Sequence, residues 1–142
     1  MARIKLDIPE NLGFSTAITL RVSDINYGGH LGNDAVLSLV HEARIRFLKS
    51  LGFSEMNAGG AGLIMSDAAI VYKSQAFYSD IIEITVGAGD FTRTGCDLYY
   101  RLVNRQTLKE VALAKTGVVF FDYQNNKVTG MPEEVRIKLI EG

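Results

Sequence analysis

The chain has a single cysteine, Cys96, among its 142 residues. One thiol excludes an internal disulfide framework and a cysteine-built zinc site. It also makes a reducing, cytoplasmic compartment the expectation. No excess of charge is present either: 15 Lys and Arg stand against 16 Asp and Glu, a net of −1. That balance argues against nucleic acid or an anionic membrane as partner. No apolar run approaches the roughly 20 residues needed to cross a bilayer. The opening MARIKLDIPENLG lacks the apolar stretch of about 7–15 residues that a secretory signal needs. There is no internal repeat, low-complexity tract or Pro/Ser-rich linker. Only the cluster Gly59, Gly60 and Gly62 breaks the pattern, and it reads as a mobile loop, not a domain boundary. What is present, 47% hydrophobic and 22% charged residues, is the make-up of a soluble globule. Residues 1–142 are expected to form one domain, long enough to bury about 68% of the surface of its unfolded chain.

Residues 16–23 alternate Ile18, Leu20 and Val22 with Thr19 and Arg21, the period of two that marks a strand. A turn-rich stretch follows, DINYGGHLGND. From Asn33 the period changes. Val36, Val40, Ala43, Phe47 and Leu51 lie at helical spacing, and Leu37, Leu39, Ile45 and Leu48 widen the apolar face. A helix over 33–51 is predicted, with Asn33 as N-cap, Asp34 in the first turn and Gly52 just past the end. Such a helix should be largely buried. Its charges Glu42, Arg44, Arg46 and Lys49 gather in the second half, which should reach solvent. Residues 63–78, 81–92, 96–104 and 109–122 have strand composition and are joined by short polar turns. Turns this short predict four consecutive antiparallel neighbours. A short helix is predicted after Asn125-Asn126, with Pro132 near its first position and Lys138 late. One helix apolar nearly all round, beside one large meander, is best buried by a sheet that curls around it. The fold class is α+β, an antiparallel sheet wrapped around one long central helix.

Three stretches carry a resemblance. Asp24-Ile25-Asn26-Tyr27-Gly28-Gly29-His30-Leu31-Gly32-Asn33 leads into the helix, Glu42-Ala43-Arg44 and Leu51-Gly52 follow, and Tyr72-Lys73-Ser74-Gln75-Ala76-Phe77-Tyr78-Ser79-Asp80 lies beyond. In that order and spacing the chain resembles the 4-hydroxybenzoyl-CoA-thioesterase-like branch of the hotdog-fold acyl-CoA thioesterases, whose pattern is close to D-x-D-x-x-G-H-h-x-N with h apolar. The resemblance implies the hotdog fold, thioester hydrolysis, and a homodimer or homotetramer whose sites form where two chains meet. The second Asp of the family pattern is its catalytic carboxylate, and Asn26 stands there. Gln75 and Ser79 replace the usual Pro and Gly of the later stretch.

An amide accepts no proton near neutral pH and is a poor nucleophile, so Asn26 can only orient water or substrate. Gly28, Gly29 and His30 lead into a helix N-terminus, where backbone N–H groups and partial positive charge can hold an oxyanion. They can equally serve only as a tight turn. Asp24 is either a base beside Asn26 or a turn-capping group. His30 has the pKa range of a base but also the means to hydrogen-bond the turn. Glu42 reads as an ion-pair partner. Asp67 is on a wet face or at a pocket. Cys96 reads as a strand residue, with no basic neighbour placed to activate it. His30 and His41 do not share a ligand spacing, so no metal is expected, and no cofactor is implied. The site expected from these readings is catalytic Asn26, His30 and Asp24, with Tyr27, Gly28 and Gly29 binding substrate. The expected substrate is an acyl-CoA or acyl-carrier-protein thioester. The alternative is a module that binds such thioesters without hydrolysing them, because Asn26 replaces the carboxylate.

Overall fold

The computed structural model describes residues 3–142. The strands are β1 (Phe14–Thr19), β2 (Gly62–Tyr72), β3 (Ile81–Gly89), β4 (Gly95–Asn104), β5 (Glu110–Asp122) and β6 (Lys127–Val128). The helices are α1 (Asn33–Ser50) and α2 (Glu133–Glu141), with a 3-10 turn over Val22–Asp24. All strand pairings are antiparallel, in the order β1-β3-β4-β5-β2, and β6 adds a short pairing to β5.

Alternation in the strands sets the faces. In β4, Cys96, Leu98, Tyr100 and Leu102 are buried, and with Ile82, Ile84 and Val86 of β3 and Ala112, Ala114, Val118 and Phe120 of β5 they form one apolar surface. Helix α1 presents Val36, Leu39, Val40, Ala43, Phe47 and Leu48 to it, all within one buried core. Phe47 is fully buried and its ring lies 5.5 Å from that of Phe14 on β1. A side chain of that size contributes about 2–3 kcal/mol by leaving water. The central helix and the sheet around it are therefore as the sequence predicts.

Four details differ. Strands β2 and β3 are not neighbours: β2 lies beyond β5 at one edge, and only β3-β4-β5 form a meander. The reason is that residues 73–78 are not strand. Lys73 and Ser74 donate to the Val111 carbonyl, Leu31 donates to the Ala76 carbonyl and Ser79 to the Leu20 carbonyl, so this segment crosses the end of the sheet and passes the start of α1. Second, β1 ends at Thr19, and the 3-10 turn over Val22–Asp24 cuts short the strand expected over residues 16–23. Third, the N-cap of α1 is Gly32, with no side-chain capping bond, while Asn33 is the first helical residue. Pro132 likewise caps α2 from just outside. Fourth, α1 is not apolar all round: Leu37 and Ile45 are exposed, whereas Arg44, in its second half, is buried. The end of α1 matches the prediction. Gly52 adopts φ +85°, donates to the Lys49 carbonyl, and leaves Phe53 to donate to Leu48, the paired bonds of a left-handed helix stop.

Ser66 is an extra residue in β2, between the pairs Met65–Val118 and Asp67–Gly117. The bulge turns Asp67 to the solvent side, where its Oδ1 accepts from the Gly117 N–H at 3.0 Å and the Lys115 ammonium at 3.0 Å. Ala68 thereby returns to the helix side.

Candidate active site

The segment between β1 and α1 is a compact, internally bonded loop. Asp24, buried at 5% exposure, accepts the Arg21 backbone N–H at 2.8 Å on Oδ2 and holds the Arg21 guanidinium at 3.4 Å. This is the capping bond of the 3-10 turn. The Asp24 carbonyl also accepts from Gly32, so both ends of the loop are tied together. Within it Asn26 donates to the His30 carbonyl at 2.9 Å, and Gly29, at φ +84°, donates to the Asn26 carbonyl at 3.0 Å. The Asn26 Oδ1 accepts the Gly28 N–H at 2.9 Å. This side-chain turn is a bond that Asn or Asp makes readily. It orients the Asn26 amide, with Nδ2 left as a donor.

His30 lies against the same turn. Its Nδ1 is 3.4 Å from the Leu31 carbonyl. A donor Nδ1–H in that long contact leaves Nε2 as the basic nitrogen. A side chain on Gly28 would place its Cβ 3.2 Å from His30 Nε2 and 3.3 Å from Asn26 Oδ1. A side chain at this position would crowd the imidazole and the Asn26 amide together, and glycine avoids that.

Asn26 and His30 open into a cleft of about 460 Å³, with Leu31, Asn33, Tyr72, Lys73, Ser74 and Gln75 as the other walls. The Tyr72 hydroxyl donates to the Asn33 carbonyl at 3.2 Å, closing the end of β2 onto the start of α1. The N–H groups of Asn33 and Asp34, first in the helix, have no acceptor within it. The cleft thus joins an imidazole ring, an oriented amide and the positive end of a helix dipole.

Of the residues expected from sequence, the structure brings Asn26 and His30 together in the cleft, with Gly28 directly behind them. Asp24 lies beneath the loop, engaged with Arg21. Tyr27 is wholly exposed at the loop tip, and Gly29 has open space around its Cα. Asn33, Tyr72, Lys73, Ser74 and Gln75 also line the cleft, although no sequence signal assigns them to the site. The last four belong to a stretch quoted for its family likeness, and the end of β2 together with the crossing that starts at Lys73 puts them there. Burial raises the Cys96 thiol to about 12, which leaves it inert as a nucleophile. Glu42 pairs with Arg46 at 2.9 Å. Among the described residues no group of three or more His, Cys, Asp or Glu is arranged to hold a metal ion, and no helix is long and apolar enough to cross a membrane.

Comparison with known proteins extends this picture. A curated protein of Aquifex aeolicus (strain VF5) that carries a provisional esterase name is 29% identical over 96 residues, 66% of this chain and 72% of that one. The crystal structure of a 1,4-dihydroxy-2-naphthoyl-CoA thioesterase from Synechocystis superposes with a TM-score of 0.82 at 18% identity, covering 90% of this chain and 96% of that one. A Staphylococcus aureus protein solved in complex with CoA superposes with a TM-score of 0.81 at 15% identity, covering 90% of this chain and 82% of that one. These likenesses establish the hotdog fold. The family model for the thioesterase-like superfamily matches residues 20–139, from the end of β1 through nearly all of α2. That span takes in the loop, the central helix and the whole sheet beyond it, and the chain belongs to the thioesterase-like superfamily.

Proposed function

We propose that the protein hydrolyses an acyl thioester, carried on CoA or on acyl-carrier protein, to a free acid and a thiol. The observation that carries this reading is the convergence of His30 Nε2 and the Asn26 amide on one cleft at the start of α1. A water held between Asn26 Nδ2 and His30 Nε2 attacks the thioester carbonyl as His30 takes its proton. The free N–H groups at the start of α1 receive the oxyanion, a kind of donor worth about 3 kcal/mol each. Collapse of the tetrahedral intermediate breaks the C–S bond, and the imidazolium returns the proton to the departing thiolate. Asp24 acts as a positioning residue by fixing the turn. Tyr27, Gly28 and Gly29 form the rim that the pantetheine arm crosses. A cytoplasmic setting fits the single buried cysteine.

The names of the similar proteins support a CoA thioester, since one is a naphthoyl-CoA thioesterase and another was solved with CoA. Strand β2 ends the sheet with its outer edge unpaired among the described residues. Association into a homodimer or homotetramer covers such an edge.

Thiol release from a panel of acyl-CoAs, read with a thiol-reactive dye, tests the proposal. Turnover that falls about 10²-fold or more in His30→Ala supports it. Saturable binding of every acyl-CoA with no thiol released overturns it in favour of a binding module.

A further inference from the structure

A second hollow lies along the seam between α1 and β2, its lining beginning at Asp34, next to Asn33 of the cleft. It has a volume of about 520 Å³. Leu37, Met65 and Ala68 supply apolar walls, and Arg44, Thr116 and His41 supply the polar ones. Asn33 in the cleft and Arg44 in the hollow are about 16 Å apart along the helix axis at 1.5 Å per residue. The side chain of Arg44 leans back toward the helix start, which shortens that gap.

The polar end is unusual for an interior. The Arg44 side chain is only 7% exposed. Its Nε donates to Glu55 Oε2 at 2.6 Å and its Nη1 to the Tyr100 hydroxyl at 3.4 Å. Nη2 donates to no protein acceptor among the described residues, although the guanidinium borders the hollow. The Tyr100 and Thr116 oxygens are 2.7 Å apart. An arginine can only donate, so the Tyr100 oxygen accepts from it. The Tyr100 and Thr116 hydroxyls share one hydrogen bond, in which either can donate. Thr116 also lines the hollow. A hydroxyl and a donor without a protein acceptor, the latter on a nearly buried cation, thus face the same space. Nη2 reaches solvent through the hollow, and a bound group that covers it must replace that solvent with an oxygen acceptor. The site does not call for an anion. Glu55 already balances Arg44 and also meets His41 at 3.0 Å, while Asp34 stands at the rim.

Resting on the thioesterase reading, we infer that the seam between α1 and β2 holds the acyl group, and that Arg44 and Thr116 select acyl groups bearing an uncharged oxygen, a hydroxyl or ketone, at the far end. The apolar walls accommodate the intervening carbons.

The test is kcat/KM for butanoyl-, hexanoyl- and octanoyl-CoA, each beside its ω-hydroxy and ω-carboxy counterpart. At the length that reaches Arg44 the ω-hydroxy substrate should lead the plain one by about tenfold or more. Thr116→Val, which keeps the shape, and Arg44→Lys, which keeps a cation beside Glu55, should each bring that ratio down to within about threefold. Equal rates at every length, a lead for the ω-carboxy series, or a ratio unchanged in Thr116→Val would overturn the inference while leaving thioester hydrolysis standing. Should no acyl-CoA be hydrolysed, the hydrolytic reading fails by itself. Calorimetric titration with the matching S-alkyl and S-(ω-hydroxyalkyl) thioethers of CoA then decides the pocket: tighter binding of a hydroxylated thioether, lost in Thr116→Val, supports it, and equal binding overturns it.

Discussion

The Cα of Gly28 lies directly beneath the His30 imidazole, so close that a methyl group there would come within 3.2 Å of Nε2 and 3.3 Å of the Asn26 amide oxygen. Contacts that tight force one neighbour to give way by a few tenths of an ångström. Gly28→Ala is therefore expected to displace the imidazole or the amide with little effect on the core. A fall in kcat of about tenfold or more, with a Tm within a few degrees of the parent, is the expected outcome.

Asn26 is the position where the chain departs from the pattern it otherwise resembles. Its Oδ1 accepts the Gly28 N–H, a bond that a carboxylate makes equally well. Asn26→Asp should keep the turn and place a second basic oxygen in the cleft, raising thioesterase turnover by up to about 10²-fold. Asn26→Ala removes the turn bond and the amide together and should lower activity. Indifference of a brisk natural enzyme to both changes, measured as kcat/KM, would remove Asn26 from the reacting centre.

Lys73 stands at the rim of the cleft, at the start of the crossing segment. A lone exposed cation meeting a phosphate contributes about 1 kcal/mol, less at high salt. Lys73→Glu is expected to raise KM for acyl-CoA several-fold, to leave kcat near its original value, and to lose most of this effect in about 0.5 M salt. Steady-state kinetics at two ionic strengths check it.

The Arg44–Glu55–His41 cluster predicts a pH dependence of stability. Burial works against the Glu55 charge, but hydrogen bonds from Arg44 and His41 overcome it and hold the carboxyl below the usual glutamate range. A carboxylate whose folded-state pKa is depressed stabilises the fold above its unfolded value, about 4.3, and loses that contribution as pH falls through the lower, folded value. Glu55→Gln should lower Tm at pH 7, and the gap between variant and parent should narrow below about pH 4. Thermal melts at pH 7 and pH 3 read the difference. An equal gap at both would show that the Glu55 charge is not what matters.

Much of the fold is legible because it follows from repeating local patterns. The 4-3-4-4 spacing from Val36 to Leu51 specifies one face of a helix, and the alternation of Leu98, Tyr100 and Leu102 specifies one face of a strand. Gly52 marks the helix stop because only a residue tolerant of positive φ ends it that way. The limits of this reading are equally local. Gly32 caps α1 because its backbone turns there, with no side-chain bond to announce it. The run after Tyr72 still looks strand-like in composition, yet its N–H groups bond to Val111 and its carbonyl at Ala76 to Leu31, partners distant in sequence.

The site divides in the same way. Asn26, Gly28 and His30 stand within five residues, and the loop they form closes on itself, so the sequence alone determines that they meet. Arg44 had a signal that was present but opposed: it continues the Val36, Val40 spacing, while its charge assigned it to solvent. Its burial depends on Glu55 from one loop and Tyr100 from the centre of the sheet, and no local pattern encodes those partners. Tyr72, Lys73 and Thr116 join the site only because β2 pairs with β5 and the chain then crosses the sheet end. Local periodicity decides which residues form an element and which face is apolar. Which elements become neighbours is decided by burying those faces together and satisfying the backbone between them, and that is settled only when the whole chain is folded.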